Sequence, residues 1–319
     1  MAGAPNPSQM SDNRAGLLSG LTAYMIWGLF PIYFVATKHV PALEILAHRI
    51  LWSVPFGFLI LLFRKQIAET LKAIVKPRTL GLLTIAAIAL AANWGVYIWA
   101  IQLEQIFQGS LGYYINPLLY VLVGVVFFKE KLSKLQAVAI LFAFLGVMIL
   151  TIQGGQFPGI SLFLAVSFTT YGVMRKQIDI GAMPGLFIET LVLLLPAIIV
   201  LSVFYQNGNL AWNTYGREMD FLLILAGPLT VLPLLAFAFA ARRIPLSTLG
   251  ILQYIGPTMQ FGCAIYYGEK FTTAHAWCFG LIWLGVGVFA YDAIRKSRQP
   301  SPVASQTENQ QTSPRPDSR

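Results

Sequence analysis

Apolar residues in this chain run in blocks too long for the amphipathic periods of a soluble fold. Ten such blocks can be marked, at 16–36, 43–63, 80–101, 106–128, 135–152, 159–175, 184–205, 221–241, 246–267 and 275–292. Most hold about 20 residues, the length of helix needed to cross a hydrocarbon layer. The sixth is the shortest. Connections between blocks are brief and leave no room for a further domain. The pattern predicts an all-α integral membrane protein of ten transmembrane helices. The polar, Pro/Asn/Ser-rich residues 1–14 and the tail 297–319, poor in large apolar side chains, are expected to be disordered.

Composition agrees with this reading. Hydrophobic residues make up 56% of the 319 and charged residues only 11%, with a mean hydropathy of +0.66. A soluble domain carries roughly 25% charged residues. The net charge of +9 is better explained by loop retention than by nucleic acid, because Lys and Arg collect on the cytoplasmic side of membrane proteins. With the N-terminus inside, 18 basic residues fall in inside segments and three (Lys38, Arg217, Lys270) in outside segments, and Arg49, inside a span, completes the 22. Both ends then face the cytoplasm. Cys263 and Cys278 both sit in apolar runs, and the three histidines show no zinc spacing. No metal, cofactor or nucleic acid is expected, and the absence of a Gly-rich GxxxxGK[ST] loop argues against an ATP-driven pump.

The two halves resemble each other. Tyr114, Ile115 and Pro117 align with Tyr254, Ile255 and Pro257; with one residue deleted, Glu130, Lys131, Leu145, Gly146 and Val147 align with Glu269, Lys270, Leu284, Gly285 and Val286. Trp27-Gly28 resembles Tyr171-Gly172, and Glu44 and Pro55 resemble Glu189 and Pro196. Residues 15–155 and 156–296 would be two five-helix repeats. Five is odd, so the second would enter the membrane inverted, the architecture of many secondary transporters.

The stretches YMIWGLFPIYF (24–34), EILAHRILWS (44–53), NWGVYIWA (93–100), SLGYYINPL (110–118), FIETLVLLLP (187–196), LSTLGILQYIGPT (246–258) and YGEK (267–270) resemble the drug/metabolite transporter superfamily, within it the EamA family and its RarD-type group. That resemblance implies a ten-helix bacterial inner-membrane transporter without ATPase parts. It leaves substrate and direction open.

Polar groups inside lipid are costly, so they mark candidate sites. Glu44, Arg49 and Glu189 are the charged residues well within spans. Glu44 and His48 share a helix face, with Arg49 about 100° round from His48. These residues could bind an anionic or zwitterionic group or relay a proton; a structural lock of Glu44 on His48 or Arg49 is the plainer alternative. Glu44 and Glu189 are candidate gating or proton-coupling groups. Pro117 and Pro257 predict helix breaks, beside which Asn116, Gln253 and Tyr254 fall. Trp27, Asn93, Trp94, Tyr113 and Tyr171 complete the expected solute-binding set, suited to a flat or amphipathic organic molecule. Tyr33 and Trp99 are assigned to the interfacial belt. The function expected is alternating-access transport of a small organic metabolite or drug, with protons as a candidate coupling ion. The alternatives are an intramembrane lipid-modifying enzyme and a non-transporting assembly protein.

Overall fold

A computed structural model describes residues 7–129, 132–155, 157–244 and 246–297. The alignments of Glu130 and Lys131, residues 1–6 and the tail from 298 onward lie outside the described residues. Thirteen helices occur among those described: α1 (Pro7–Gly28), α2 (Phe30–Ala36), α3 (Ala42–Phe63), α4 (Ile67–Ile74), α5 (Pro77–Gln102), α6 (Ile106–Phe128), α7 (Lys134–Gly154), α8 (Gly159–Lys176), α9 (Ala182–Gln206), α10 (Arg217–Ala241), α11 (Leu246–Leu252), α12 (Ile255–Tyr266) and α13 (Thr273–Ser297). Eight helices, the first continuing from α1 into α2, are long and apolar enough to cross a membrane. The chain is an all-α, multi-pass membrane protein.

Helix starts and breaks follow local chemistry. α1 begins at Pro7, so residues 7–14, expected outside the helices, form its first turns. α1 gives way to α2 at Leu29, where Pro31 opens the new helix. Proline has no N–H and crowds the carbonyl four residues back, here that of Trp27. Gln260 Nε2, on α12, donates to that Trp27 carbonyl at 3.2 Å. Pro257 likewise sits in the first turn of α12, after the chain leaves α11. α6, by contrast, runs unbroken through Pro117. α4 is a short helix not foreseen from the apolar blocks.

Packing pairs α3 with α9, α7 with α13 and α6 with α12; α5 packs on α8 and α10 on α1. Small residues set the closest approaches. A side chain at Gly146 of α7 would lie 2.9 Å from the Cys278 carbonyl of α13. One at Gly285 of α13 would lie 2.9 Å from the Ala139 carbonyl of α7. Gly28 abuts Met259 of α12, and Gly172 abuts Tyr120 of α6.

The connections at one end of the bundle are tied by carboxylates and rings. Glu269, between α12 and α13, accepts from the Phe107 N–H at the start of α6 (3.1 and 3.2 Å). Phe107, Phe261, Phe271 and Phe279 pack around it with ring centres 4.8–5.8 Å apart. Burial pushes the Glu269 carboxyl up to about 7, against the lowering effect of the Phe107 N–H.

Two outcomes follow. Gly146→Ala and Gly285→Ala each drive a methyl into backbone that cannot yield, and each should cost about 1–3 kcal/mol; Gly81→Ala, with nothing within 4 Å, should be neutral by thermal unfolding in detergent. The folded Glu269 carboxyl holds its proton to higher pH than the unfolded one, so its contribution to stability declines as pH rises from about 4.5 to about 7. The difference in melting temperature between wild type and Glu269→Gln should shift across that window and stay flat above it.

Candidate functional site

A cavity of about 510 Å³ lies among α1, α2, α3, α5, α6, α8, α9, α10, α11 and the first turns of α12. Ten aromatic side chains dominate its wall: Tyr24, Trp27, Phe30, Trp94, Tyr97, Tyr113, Tyr120, Phe168, Tyr171 and Phe237. Polar groups are few: Arg49, Arg175, Asn116, Gln253 and Gln260. Of the residues predicted from sequence, Trp27, Arg49, Trp94, Tyr113, Asn116, Tyr171, Gln253 and Pro257 line it. The others stand behind the wall or away from it.

Arg49 is 4% exposed. Its Nε donates to Thr230 Oγ1 of α10 at 2.6 Å. Its guanidinium carbon lies 4.0 Å from the Trp94 ring centre and 5.1 Å from that of Phe30. Flat cation on aromatic face is a favourable arrangement, more so when desolvated. Among the described residues no carboxylate comes within 4.0 Å of it.

Glu44 and His48 do not reach the cavity. Glu44 is fully buried, and its Oε1 accepts from the Ala211 N–H, in the α9–α10 connection, at 2.7 Å. The carboxylate stands 3.7 Å from His48 Nε2. The His48 ring stacks on Trp212 of the same connection (5.8 Å), and Trp52 packs against Trp212 from the next turn (5.9 Å). The face shared by Glu44 and His48 is real and continues to Trp52, but it clamps a loop. The hydrogen bond Glu44 makes is to the Ala211 N–H, with His48 beside it.

Asn93 is also buried behind the wall. Its Nδ2 donates to the Leu164 carbonyl and Ser167 Oγ, both at 2.9 Å, and its Oδ1 accepts from the Tyr113 hydroxyl at 3.1 Å. It ties α5 to α8 and holds Tyr113 in place. Asn116 reaches the cavity while its Oδ1 accepts from Thr169 Oγ1 at 2.7 Å. Tyr254 stacks on Tyr114 (6.2 Å) instead of lining the space, and Pro117 lies inside α6. Tyr33, assigned to the interfacial belt, has its hydroxyl on the Leu222 carbonyl of α10 at 2.9 Å; Trp99 is exposed.

Glu189 is 1% exposed. Arg175 Nε lies 3.6 Å from its Oε1 and the Tyr171 hydroxyl 3.4 Å from its Oε2. Its two partners line the cavity and it stands directly behind them. The sequence alignment paired Glu189 with Glu44, but Glu44 is the third residue of α3 and Glu189 the eighth of α9. By position along the helix Glu189 corresponds to Arg49.

Arg175 was missed as a site residue. It is the next-to-last residue of α8, and in sequence it reads as one more basic residue at a helix end. The local signal available was Glu189, a buried carboxylate that needs a partner. Gln260 was missed as well. Its amide N–H₂ serves the Trp27 carbonyl, while its Oε1 is buried without a partner in the cavity wall.

Removing the clamp should destabilise the protein without emptying the cavity wall. Glu44→Ala leaves the buried Ala211 N–H without its acceptor, at a cost of about 1–3 kcal/mol. Glu44→Gln keeps an acceptor oxygen and should cost less, as read by thermal unfolding in detergent.

Comparison with known proteins adds to this geometry. The EamA-like transporter family profile matches residues 14–152. An uncharacterized transporter of Pseudomonas aeruginosa is 40% identical over 288 residues, covering 90% of this chain and 96% of its own. Protein RarD of Escherichia coli is 38% identical over 291 residues, covering 91% and 98%. A chloramphenicol-sensitive protein RarD of Pseudomonas aeruginosa is 30% identical over 296 residues, covering 91% and 98%. One solved crystal structure superposes with a TM-score of 0.58 at 19% identity, covering 90% of this chain and 99% of that one, a likeness of fold. With relatives this similar over nearly their whole length, and a polar-studded aromatic cavity inside a multi-pass helical bundle, the chain belongs to the EamA transporter family, among its RarD-type members.

Proposed function

We propose that this protein is a secondary transporter that moves a small organic metabolite or drug across the bacterial inner membrane by alternating access. Ten crossings are counted by adding α8 and the broken pair α11–α12 to the eight long apolar helices. The excess of basic residues at alternate connections then puts both termini in the cytoplasm.

Two inverted five-helix repeats are supported by reciprocal contacts. Gly146 meets Cys278 while Gly285 meets Ala139; each residue of one contact is its counterpart in the other shifted by 139 positions. Tyr114 stacks on Tyr254, its own alignment partner. Trp27-Gly28 approaches α12 as Tyr171-Gly172 approaches α6. The pairs α5 with α8 and α10 with α1 exchange under the same operation. Contacts that map onto themselves in this way are what a two-fold axis between the halves requires.

The observation that carries the functional reading is the cavity, lined by residues from both halves of the chain. At the end bearing Glu269, the Phe107 cluster and the Glu44–Trp212 clamp hold the connections together. The wall continues the other way to Arg175, Ala182 and Met183, at the ends of α8 and α9. With the N-terminus inside, that mouth faces the cytoplasm. Glu44 and Glu189 then act as outer and inner gates, the first tying the α9–α10 connection, the second holding Arg175 at the mouth. Protons are the coupling ion on this reading, carried by Glu189. A passive assembly protein gives no reason for a buried guanidinium facing open space, and the relatives' names favour transport over lipid modification.

The test begins with metabolite profiling of cells with and without the protein. The solute so identified should cross proteoliposomes containing the purified chain without ATP. An imposed pH gradient should change its flux, and Glu189→Gln should abolish that response. A flux indifferent to the gradient would remove the proton from the mechanism, and no flux for any candidate solute would remove transport.

A further inference from the structure

We infer that the solute is an organic monoanion, its acid group seated on Arg49 and its apolar body among the aromatic rings. The inference rests on the reading of the cavity as a solute site and specifies the charge of what enters. The cavity wall carries two arginines and no carboxylic acid. Arg175 is balanced by Glu189 behind it. Arg49 has only a neutral hydroxyl at Nε and two ring faces. Its terminal amino groups have no hydrogen-bond partner among the described residues, and the side chain belongs to the cavity wall. The formal charge left over is therefore one, and it is positive.

A buried charge in a low-dielectric setting is held at a cost that a hydrogen bond and ring faces offset in part and an opposite charge offsets best. None of the described carboxylates does so, which leaves the counter-charge to come from the solute. The two free amino groups form a fork that fits a carboxylate or a similar oxyanion through paired hydrogen bonds. Trp94 and Phe30 hold the plane of that fork and keep it from turning to a protein carbonyl. A small inorganic anion would satisfy the charge but not the wall, where ten aromatic side chains offer an apolar body contact area. A cation would meet Arg49 with repulsion and find the nearby Glu189 already engaged.

Three probes sharing one ring system test this: 2-naphthoate, 2-naphthylmethanol and 2-naphthylmethylammonium, titrated calorimetrically into the full-length protein in detergent. The naphthoate should bind at least about tenfold more tightly than the alcohol, and the ammonium more weakly than either. Arg49→Gln should bring naphthoate and alcohol to within about threefold, and Arg49→Lys, which keeps the charge but not the fork, should fall between. Wild-type protein that binds the three alike, or prefers the ammonium, overturns the anion assignment and leaves the solute cavity standing. Wild-type protein that binds none of them overturns the solute cavity and the anion with it. A folded Arg49→Gln protein that keeps its preference for naphthoate overturns the role of Arg49. The wild-type series decides the charge class by itself, should the glutamine variant fail to fold.

Discussion

A carbonyl released from its helix in the middle of a lipid bilayer has no water to turn to, and the rest of this structure is arranged around that constraint. Pro31 releases the Trp27 carbonyl, and Gln260 answers it from α12. Near the second break, Ser110 Oγ of α6 donates to the Pro257 carbonyl at 2.8 Å. In both places a side chain of another helix bonds the backbone beside the break. At the first, the repairing group has polar capacity to spare, since Gln260 Oε1 is buried without a partner in a residue of the cavity wall. The polar spots in an otherwise aromatic wall are in part a by-product of mending the backbone.

The ionic and other polar groups obey the same economy. Glu44 is taken up by the Ala211 N–H, Glu189 by Arg175 and Tyr171, and Asn93 by α8 and Tyr113. Against that background Arg49 stands out because its neighbours are a hydroxyl and two rings. That contrast is what the proposed anion site rests on.

The helices were legible because twenty apolar residues in a row have few other uses, and all ten predicted blocks open or close within a few residues of a helix end in the structure. The exceptions have physical causes. The first and ninth blocks are each two helices, since hydropathy does not register a backbone break. Pro257 announced the second break, but Pro117, in the matching place, leaves α6 continuous. The short α4 is hidden in a basic connection. Within the site, residue type was a fair guide to burial and a poor one to direction. Glu44 and His48 share a face as their spacing requires, yet which neighbour that face meets depends on the α9–α10 connection, far away in sequence. Arg175 was taken for a loop charge because the depth of a helix end is set by its packing. Ordered identities such as Tyr114 with Tyr254 suggest the repeat proposed above, while Glu44 and Glu189 stand at different heights, the third residue of α3 and the eighth of α9.

The α7–α13 pair contributes nothing to the cavity wall, although its two helices touch through glycine at backbone distance. A seam made of main-chain atoms at two points cannot slide without losing both, and neither helix can roll about its long axis. On the alternating-access reading proposed above, the other helices would move around this seam, which would stay fixed as their spindle.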